Sequence, residues 1–152
     1  MTQRLDHQTL APDGMRALGG VYMYVVNKSG LPHALIDLVF LRVSQINGCA
    51  YCIGMHSRDL LKADVPVNKL LLLSAWREAA ALYSAQEQAA LRWAEALTLV
   101  SQTAAPDADY QAAAAAFDPK ELVDLTLAIG VINTYNRLSI GFRKTPEGVP
   151  AD

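Results

Sequence analysis

The sequence is poor in cysteine: Cys49 and Cys52 are the only two in 152 residues. A bridge across so short a loop would constrain the unfolded chain very little, which argues against a structural staple. Charge of one sign is also lacking. The formal net charge is -2, so there is no basic excess to neutralise phosphates, and nucleic acid is not an expected partner. Long apolar runs are missing too. Asp37, Arg42, Arg77 and Glu78 interrupt the most hydrophobic stretches. None reaches the roughly 20 apolar residues of a membrane-spanning helix, so no membrane partner is expected. The opening "MTQRLDHQTLAPDGM" has no apolar core of a signal peptide. The expected compartment is therefore the cytoplasm, where a Cys-x-x-Cys pair is catalytic or metal-binding rather than a staple. Finally, there is no sustained period-2 alternation, no hairpin signature and no internal repeat.

What remains is helical. The length suits one domain spanning residues 1–152, and 52% hydrophobic with 18% charged residues argues for a compact body over disorder. A mostly apolar segment from Met15 to Asn27 ends at "NKSG". Pro32 then sits where a first helical turn tolerates proline. "HALIDLVFLRVSQI" follows and stops at Asn47-Gly48, a break after which Asn47 is a candidate cap for a helix carrying Cys49 to about Lys62. "VNKLLLLSAWREAAALY" reads as one helix or two short ones. Ser84 and Glu87 form a capping-box pattern, opening a helix with an apolar stripe through Ala89, Leu91, Ala94, Leu97 and Val100. "ADYQAAAAAF" is a short Ala-rich helix, and Asp118-Pro119 starts a long last one. Together these predict an all-α bundle. Leu35 to Ile46 is apolar nearly all round, which places it at the centre or under a neighbouring subunit. Trp76, Trp93 and Tyr135 are expected in the core or an interface. Asn133 and Asn136, amides in an apolar helix, need partners across helices or at a site.

The stretch "QINGCAYCIGMHSRDLL" concentrates the chemistry. At about 100° per residue, Cys49 in the first turn of a helix, Cys52 and His56 share one face. A histidine four residues after a thiol can serve as its base, directly or through a water, and the helix N-terminus favours thiolate. The bland alternative is a pair of inert buried cysteines beside a hydrogen-bonded histidine. Zinc would need a fourth ligand, and His7 and His33 upstream lack metal-type spacing. A thioredoxin-type motif would follow a strand, and none flanks this one. Asp37, inside "LIDLVFL", is costly to bury unless paired or protonated. It suits a proton shuttle, or it shares a polar stripe with Arg42 or pairs with an arginine.

"LRVSQINGCAYCIGMHSRDL" resembles the alkylhydroperoxidase D-like proteins of the carboxymuconolactone decarboxylase superfamily. That family's redox members carry an acidic residue, eleven intervening residues, then Cys-x-x-Cys-x-x-x-His; counting back from Cys49 gives Asp37. "EQAALRWAEALTLV" and "ELVDLTLAIGVINTYNRLSIGFR" are similar to the family as well, so the likeness covers nearly the whole chain. The resemblance implies an all-helical bundle with Cys-x-x-Cys at the N-terminus of a central helix, assembled as a homo-oligomer such as a trimer or hexamer. It implies a thiol-dependent peroxidase that reduces a small hydroperoxide and is recharged by a thiol or disulfide-reductase donor, with no cofactor. By the same resemblance Cys52 attacks the peroxide, Cys49 resolves the sulfenic acid to a Cys49–Cys52 disulfide, and His56 and Asp37 relay protons. The chain departs from the family at two positions: Asp37 stands where Glu is common, and Tyr51 where the named enzyme of the family has a histidine. The decarboxylase branch lacks the cysteine pair. Two other readings stay open, a redox-sensing stress protein without turnover and a metal-binding module built on Cys49, Cys52 and His56.

Overall fold

A computed structural model describes residues 2–150. Among them the chain forms helices joined by short turns, with no strand. The helices are α1 (His7–Leu10), α2 (Pro12–Lys28), α3 (His33–Asn47), α4 (Ala50–Lys62), α5 (Val67–Leu71), α6 (Ala85–Thr98), α7 (Val100–Thr103), α8 (Asp107–Ala116) and α9 (Pro119–Gly141). The all-α expectation from the sequence holds.

The helix boundaries follow local chemistry. Ser84 and Glu87 cap α6 reciprocally, and Asp118 and Glu121 do the same for α9, with Pro119 at its first position. Pro32 is the N-cap of α3. The stripe expected to run through Val100 breaks earlier. α6 ends at Thr98, the chain turns at Leu99, and Val100 is exposed. Thr103 donates its hydroxyl to the Ala96 carbonyl at 2.7 Å, tying the extra turn back onto α6. The stretch expected as one or two helices is α5 followed by single 3-10 turns at Leu73–Ala75 and Ala80–Leu82. Tyr83 closes this segment by donating to the Lys69 carbonyl at 2.6 Å, and Leu70, Leu73, Trp76 and Tyr83 point into a core. Burying those side chains outweighs the regular helix that the sequence pattern allowed.

α3 is the central helix, packed against α4, α6 and α9. Ile36, Val39, Phe40 and Val43 face a main core with Ala90 and Ala94 of α6 and Ile129 and Ile132 of α9. Leu38 and Leu41 face a second cluster with Leu60, Trp76 and Leu91. Each fully buried side chain of this kind contributes up to about 1.5–3 kcal/mol, which makes α3 the anchor of the fold. Its all-round apolar surface is thus explained by centrality within one chain.

A charged cluster braces the second core. Glu95, largely buried, accepts from Arg42 at 2.7 Å, from Trp76 Nε1 at 2.9 Å and from Arg77. Arg42 therefore does not pair with Asp37, and the shared polar stripe weighed for those two residues is not formed. Trp93 is buried in the main core and Tyr135 packs against it.

Candidate active site

The turn between α3 and α4 sets the cysteines. Gly48 takes the left-handed conformation at φ 71° and ends α3. The Cys49 N–H then reaches back to the Ser44 carbonyl at 2.9 Å, and the Gly48 N–H to Gln45 at 3.3 Å. This pair of bonds is the Schellman closure, which glycine permits without side-chain strain. Asn47 does not cap α4. It is the last residue of α3, and its amide donates to Asn133 at 3.0 Å and to Asn136 at 2.9 Å across to α9. The cap of α4 is Cys49 itself, one residue outside the first turn where the sequence reading put it, with its sulfur accepting the Cys52 N–H at 3.4 Å.

Both cysteines are free and buried, with Cys49 Sγ and Cys52 Sγ 2.6 Å apart. Cys52 Sγ also lies 3.9 Å from Ser139 Oγ of α9. The hydrogen bond from Cys49 pulls Cys52 down to about 6; burial opposes it, and Asn136, Ser139 and the nearby His56 assist. Cys49 moves the other way. Donating its S–H hydrogen bond to Cys52, reinforced by burial, drives its pKa far above the ordinary thiol range. The pair thus separates into a thiolate at Cys52 and a proton-holding thiol at Cys49. A helix-dipole argument alone favours Cys49 as the thiolate. The direct hydrogen bond is stronger than that diffuse field, and it decides for Cys52.

His56 is fully buried on α4 beneath the Phe40 ring, at 5.0 Å between ring centres. Its Nδ1 lies 3.0 Å from Asp37 Oδ1 on α3. With Nδ1 donating to that carboxylate, Nε2 is left as an acceptor, and it has no hydrogen-bond partner among the described residues. Asp37 keeps 25% of its side chain exposed. It is therefore half-buried, not sunk in the core as its neighbours in sequence suggest, and it links His56 to solvent. A cavity of about 260 Å³ is lined by Cys52, His56, His7, Tyr22, Tyr135 and Lys144, among others. Cys52 and His56 therefore face the same space.

The four residues marked in the sequence are brought together as two linked pairs, Cys49–Cys52 and Asp37–His56. Ser139 is the neighbour that sequence reasoning missed. The available signal was weak: Asn136 and Ser139 are polar residues three apart on the buried stripe of an apolar helix. Asn136 serves both roles open to it. It donates to Ser44 at 3.0 Å across to α3, and it supports the Cys52 thiolate. The metal set weighed as an alternative, Cys49, Cys52 and His56, does not form a close group among the described residues. The group of close metal-capable side chains among the described residues is Asp37, His56 and Asp59, without either cysteine.

Such a buried dithiol at the head of α4, the helix that follows central α3, backed by a histidine and a carboxylate, fits the alkylhydroperoxidase D-like class. The chain belongs to the carboxymuconolactone decarboxylase family, whose sequence pattern matches residues 12–96. It is 37% identical over 140 residues to the uncharacterized protein YdfG of Bacillus subtilis, covering 92% of this chain and 94% of that one. It is 32% identical over 112 residues to the uncharacterized protein YnjA of Escherichia coli, covering 74% of this chain but only 60% of YnjA. Among solved structures, ATU0492 of Agrobacterium tumefaciens, a protein of unknown function suggested to be the antioxidant defence protein AhpD, superimposes with a TM-score of 0.91. The two share 37% identity over 99% of this chain and 100% of that one. The debrominase Bmp8, at 18% identity with coverage of 92% and 74%, has a TM-score of 0.77 and shares the fold.

Proposed function

We propose that this chain is a thiol-dependent peroxidase that reduces hydroperoxides through a Cys49–Cys52 dithiol–disulfide cycle. The observation that carries the reading is the division of labour within the cysteine pair: Cys52 is held toward thiolate, and Cys49, at 2.6 Å, keeps its proton. The Cys52 thiolate attacks the terminal peroxide oxygen and breaks the O–O bond. The alkoxide leaves with the proton that Cys49 holds, which turns Cys49 into a thiolate, and His56 with Asp37 relays from solvent the proton that later converts the departing hydroxide to water. Cys49 then attacks the Cys52 sulfenic acid, forming the disulfide and releasing water. Asp37 orients His56 and connects it to solvent. Membership of a family that includes enzymes, and likeness to a suggested AhpD protein at 37% identity, support this reading.

The proposal includes a homo-oligomer, a trimer or hexamer, supported by apolar side chains exposed on α9, Val123 and Leu127. It also includes a thiol or disulfide-reductase electron donor in a reducing compartment such as the cytoplasm. No helix of the described residues is long and apolar enough to cross a membrane.

The test is intact mass and thiol counting on reduced protein before and after one equivalent of an organic hydroperoxide. Loss of two hydrogens and both thiols is expected. Cys52→Ser is expected to abolish peroxide consumption, and Cys49→Ser to accumulate a sulfenic acid that a dimedone-type probe captures. Full peroxide turnover by Cys52→Ser refutes the assignment. Oxidation that stops at one equivalent, with excess thiol present, converts the reading to a redox sensor.

A further inference from the structure

We infer that the cysteine pair is served from two sides, and that an anionic thiol reductant enters at Cys49, between the start of α4 and the end of α9. The inference rests on the dithiol–disulfide reading above and names the chemistry of its second half.

The two cysteines line different cavities. Cys52 and His56 line the 260 Å³ space, which Cys49 does not reach. Cys49 lines a separate space of about 420 Å³ with Tyr51, Ile140, Arg143, Lys144 and Val149, which neither Cys52 nor His56 reaches. Tyr51, Ser139 and Lys144 form the partition between them. Lys144 Nζ lies 4.1 Å from the centre of the Tyr51 ring, which seats the cation at that partition. The Cys49 cavity has two cationic side chains and no carboxylate in its described lining. The N-terminus of α4 adds partial positive charge there. The whole chain carries -2, so this local basic lining runs against the overall field.

Arg143 occupies a position that favours another residue. It sits at φ 55° at the end of α9. Its N–H bonds to Ile140 at 3.2 Å, and the Lys144 N–H bonds to Ser139 at 2.8 Å. This is the closure that Gly48 makes at the end of α3, but with arginine in the left-handed place. A side chain there is strained relative to glycine. The strained position directs attention to what Arg143 contributes in the cavity.

Thiol exchange fixes which sulfur must be attacked. The better-stabilised thiolate leaves faster, and once Cys49 carries the reductant the donors that remain, Asn136 and Ser139 of α9 with the nearby His56, serve Cys52. The incoming thiolate therefore bonds to Cys49 Sγ, the Cys49–Cys52 bond breaks, and its electron pair leaves on Cys52. A second thiolate attacks the reductant sulfur of the mixed disulfide and releases Cys49, which takes up a proton. Two thiols become one disulfide, and the protein gains two electrons. A carboxylate on the reductant is the group Arg143 and Lys144 would hold, with Ile140 and Val149 against its apolar stem.

The test begins with protein oxidised by excess diamide, freed of oxidant and confirmed by loss of both thiols. The disulfide then exists whether or not peroxide forms it, so failure here is distinct from failure of the peroxidase reading. Re-reduction rates are measured with 3-mercaptopropionate, 2-mercaptoethanol and cysteamine, each expressed per thiolate and divided by the rate of the same thiolate with a small uncharged disulfide, which removes differences in intrinsic nucleophilicity. The anionic thiol is expected to exceed the neutral one by about fivefold at low salt and the cationic one by more, with the advantage collapsing at high salt. Arg143→Gln/Lys144→Gln is expected to bring the three rates together. Arg143→Gly is expected to raise the melting temperature while lowering the anion preference, a combination that a purely structural arginine would not give. In mixed disulfide quenched with iodoacetamide, fragment masses are expected to place the reductant on Cys49 and the alkyl group on Cys52. Equal rates in the unmodified protein, an anion preference that survives the double substitution or remains intact in Arg143→Gly, or the reductant on Cys52 each overturn the proposal.

Discussion

Removing the Cys49 sulfur tests the electrostatics of the site most directly. Cys52 is shifted from an ordinary 9.0 down to about 6. Three units correspond to roughly 4 kcal/mol of preference for thiolate. The hydrogen bond from Cys49 is the largest contributor. A hydrogen bond to a charged group is worth about 1.5–3 kcal/mol, so Cys49→Ala should raise the Cys52 pKa by about one to two units. Cys49→Ser keeps a donor at the same place and should raise it by less. The assay is the rate of iodoacetamide alkylation at Cys52 across pH. Reactivity rises with pH as the thiol loses its proton, with a midpoint a little above 6 in Cys49→Ser and higher still in Cys49→Ala. The rate at pH 7 is a poor readout, because a thiolate of higher pKa is intrinsically more nucleophilic and partly offsets its lower population. The plateau rate at high pH should therefore be larger in Cys49→Ala, which gives a second, independent sign. A midpoint that does not move in Cys49→Ala, or moves equally in both variants, would falsify the claim that this hydrogen bond creates the thiolate.

Other consequences follow from the same contacts. Ser139→Ala should raise the Cys52 midpoint by less than Cys49→Ala, because it removes a lesser donor at 3.9 Å, and the same alkylation profile reads it. Asn136→Leu removes bonds to Asn47 and Ser44 and strands two partners, so urea unfolding should show a loss of about 1–3 kcal/mol. Asp37→Asn should leave unfolding nearly unchanged but slow peroxide turnover, and Asp37→Glu should restore part of it; equal activity in all three forms removes Asp37 from the relay. For Glu95, burial pushes the pKa up, but the bonds from Trp76, Arg77 and Arg42 outweigh it and the net direction is down. Its contribution is therefore present above the unfolded carboxylate pKa and is lost as pH falls through the lowered folded value. Glu95→Ala should cost on the order of 3 kcal/mol at pH 7, and the cost should shrink as pH is lowered through and below the unfolded carboxylate pKa, measured by denaturant melts along that series.

The helices at both ends of the site were legible because their signals are local. Ser84-x-x-Glu87, Asp118-Pro119 and the glycine at 48 act within one turn of chain, and the structure has each in that role. The spacing of Cys49, Cys52 and His56 could be read as one helical constellation for the same reason. The Cys49 position was off by one residue, because a cysteine can take the N-cap role usually given to Asn or Ser, and Asn47 was drawn away by partners on α9. The irregular path from Leu72 to Tyr83 was not legible, since docking of Leu73 and Trp76 against the core overrides a good helical pattern there.

By itself the sequence determined the fold class, the family and the set of residues, a cysteine pair with a histidine and an acid, that the candidate site brings together. These depend on residue type and on intervals along one or two helices, which backbone geometry translates directly into shared faces. The tertiary structure sets the bias toward thiolate at Cys52, because that turns on a Cys49 sulfur at 2.6 Å and on donors from α9, 84 and 87 residues further along the chain. It also decided that Asp37 meets His56 and not Arg42, and that the two cysteines line separate spaces. Hydrogen bonds and cavities of this kind depend on ångström-scale distances between distant segments, and those are fixed only when the helices pack.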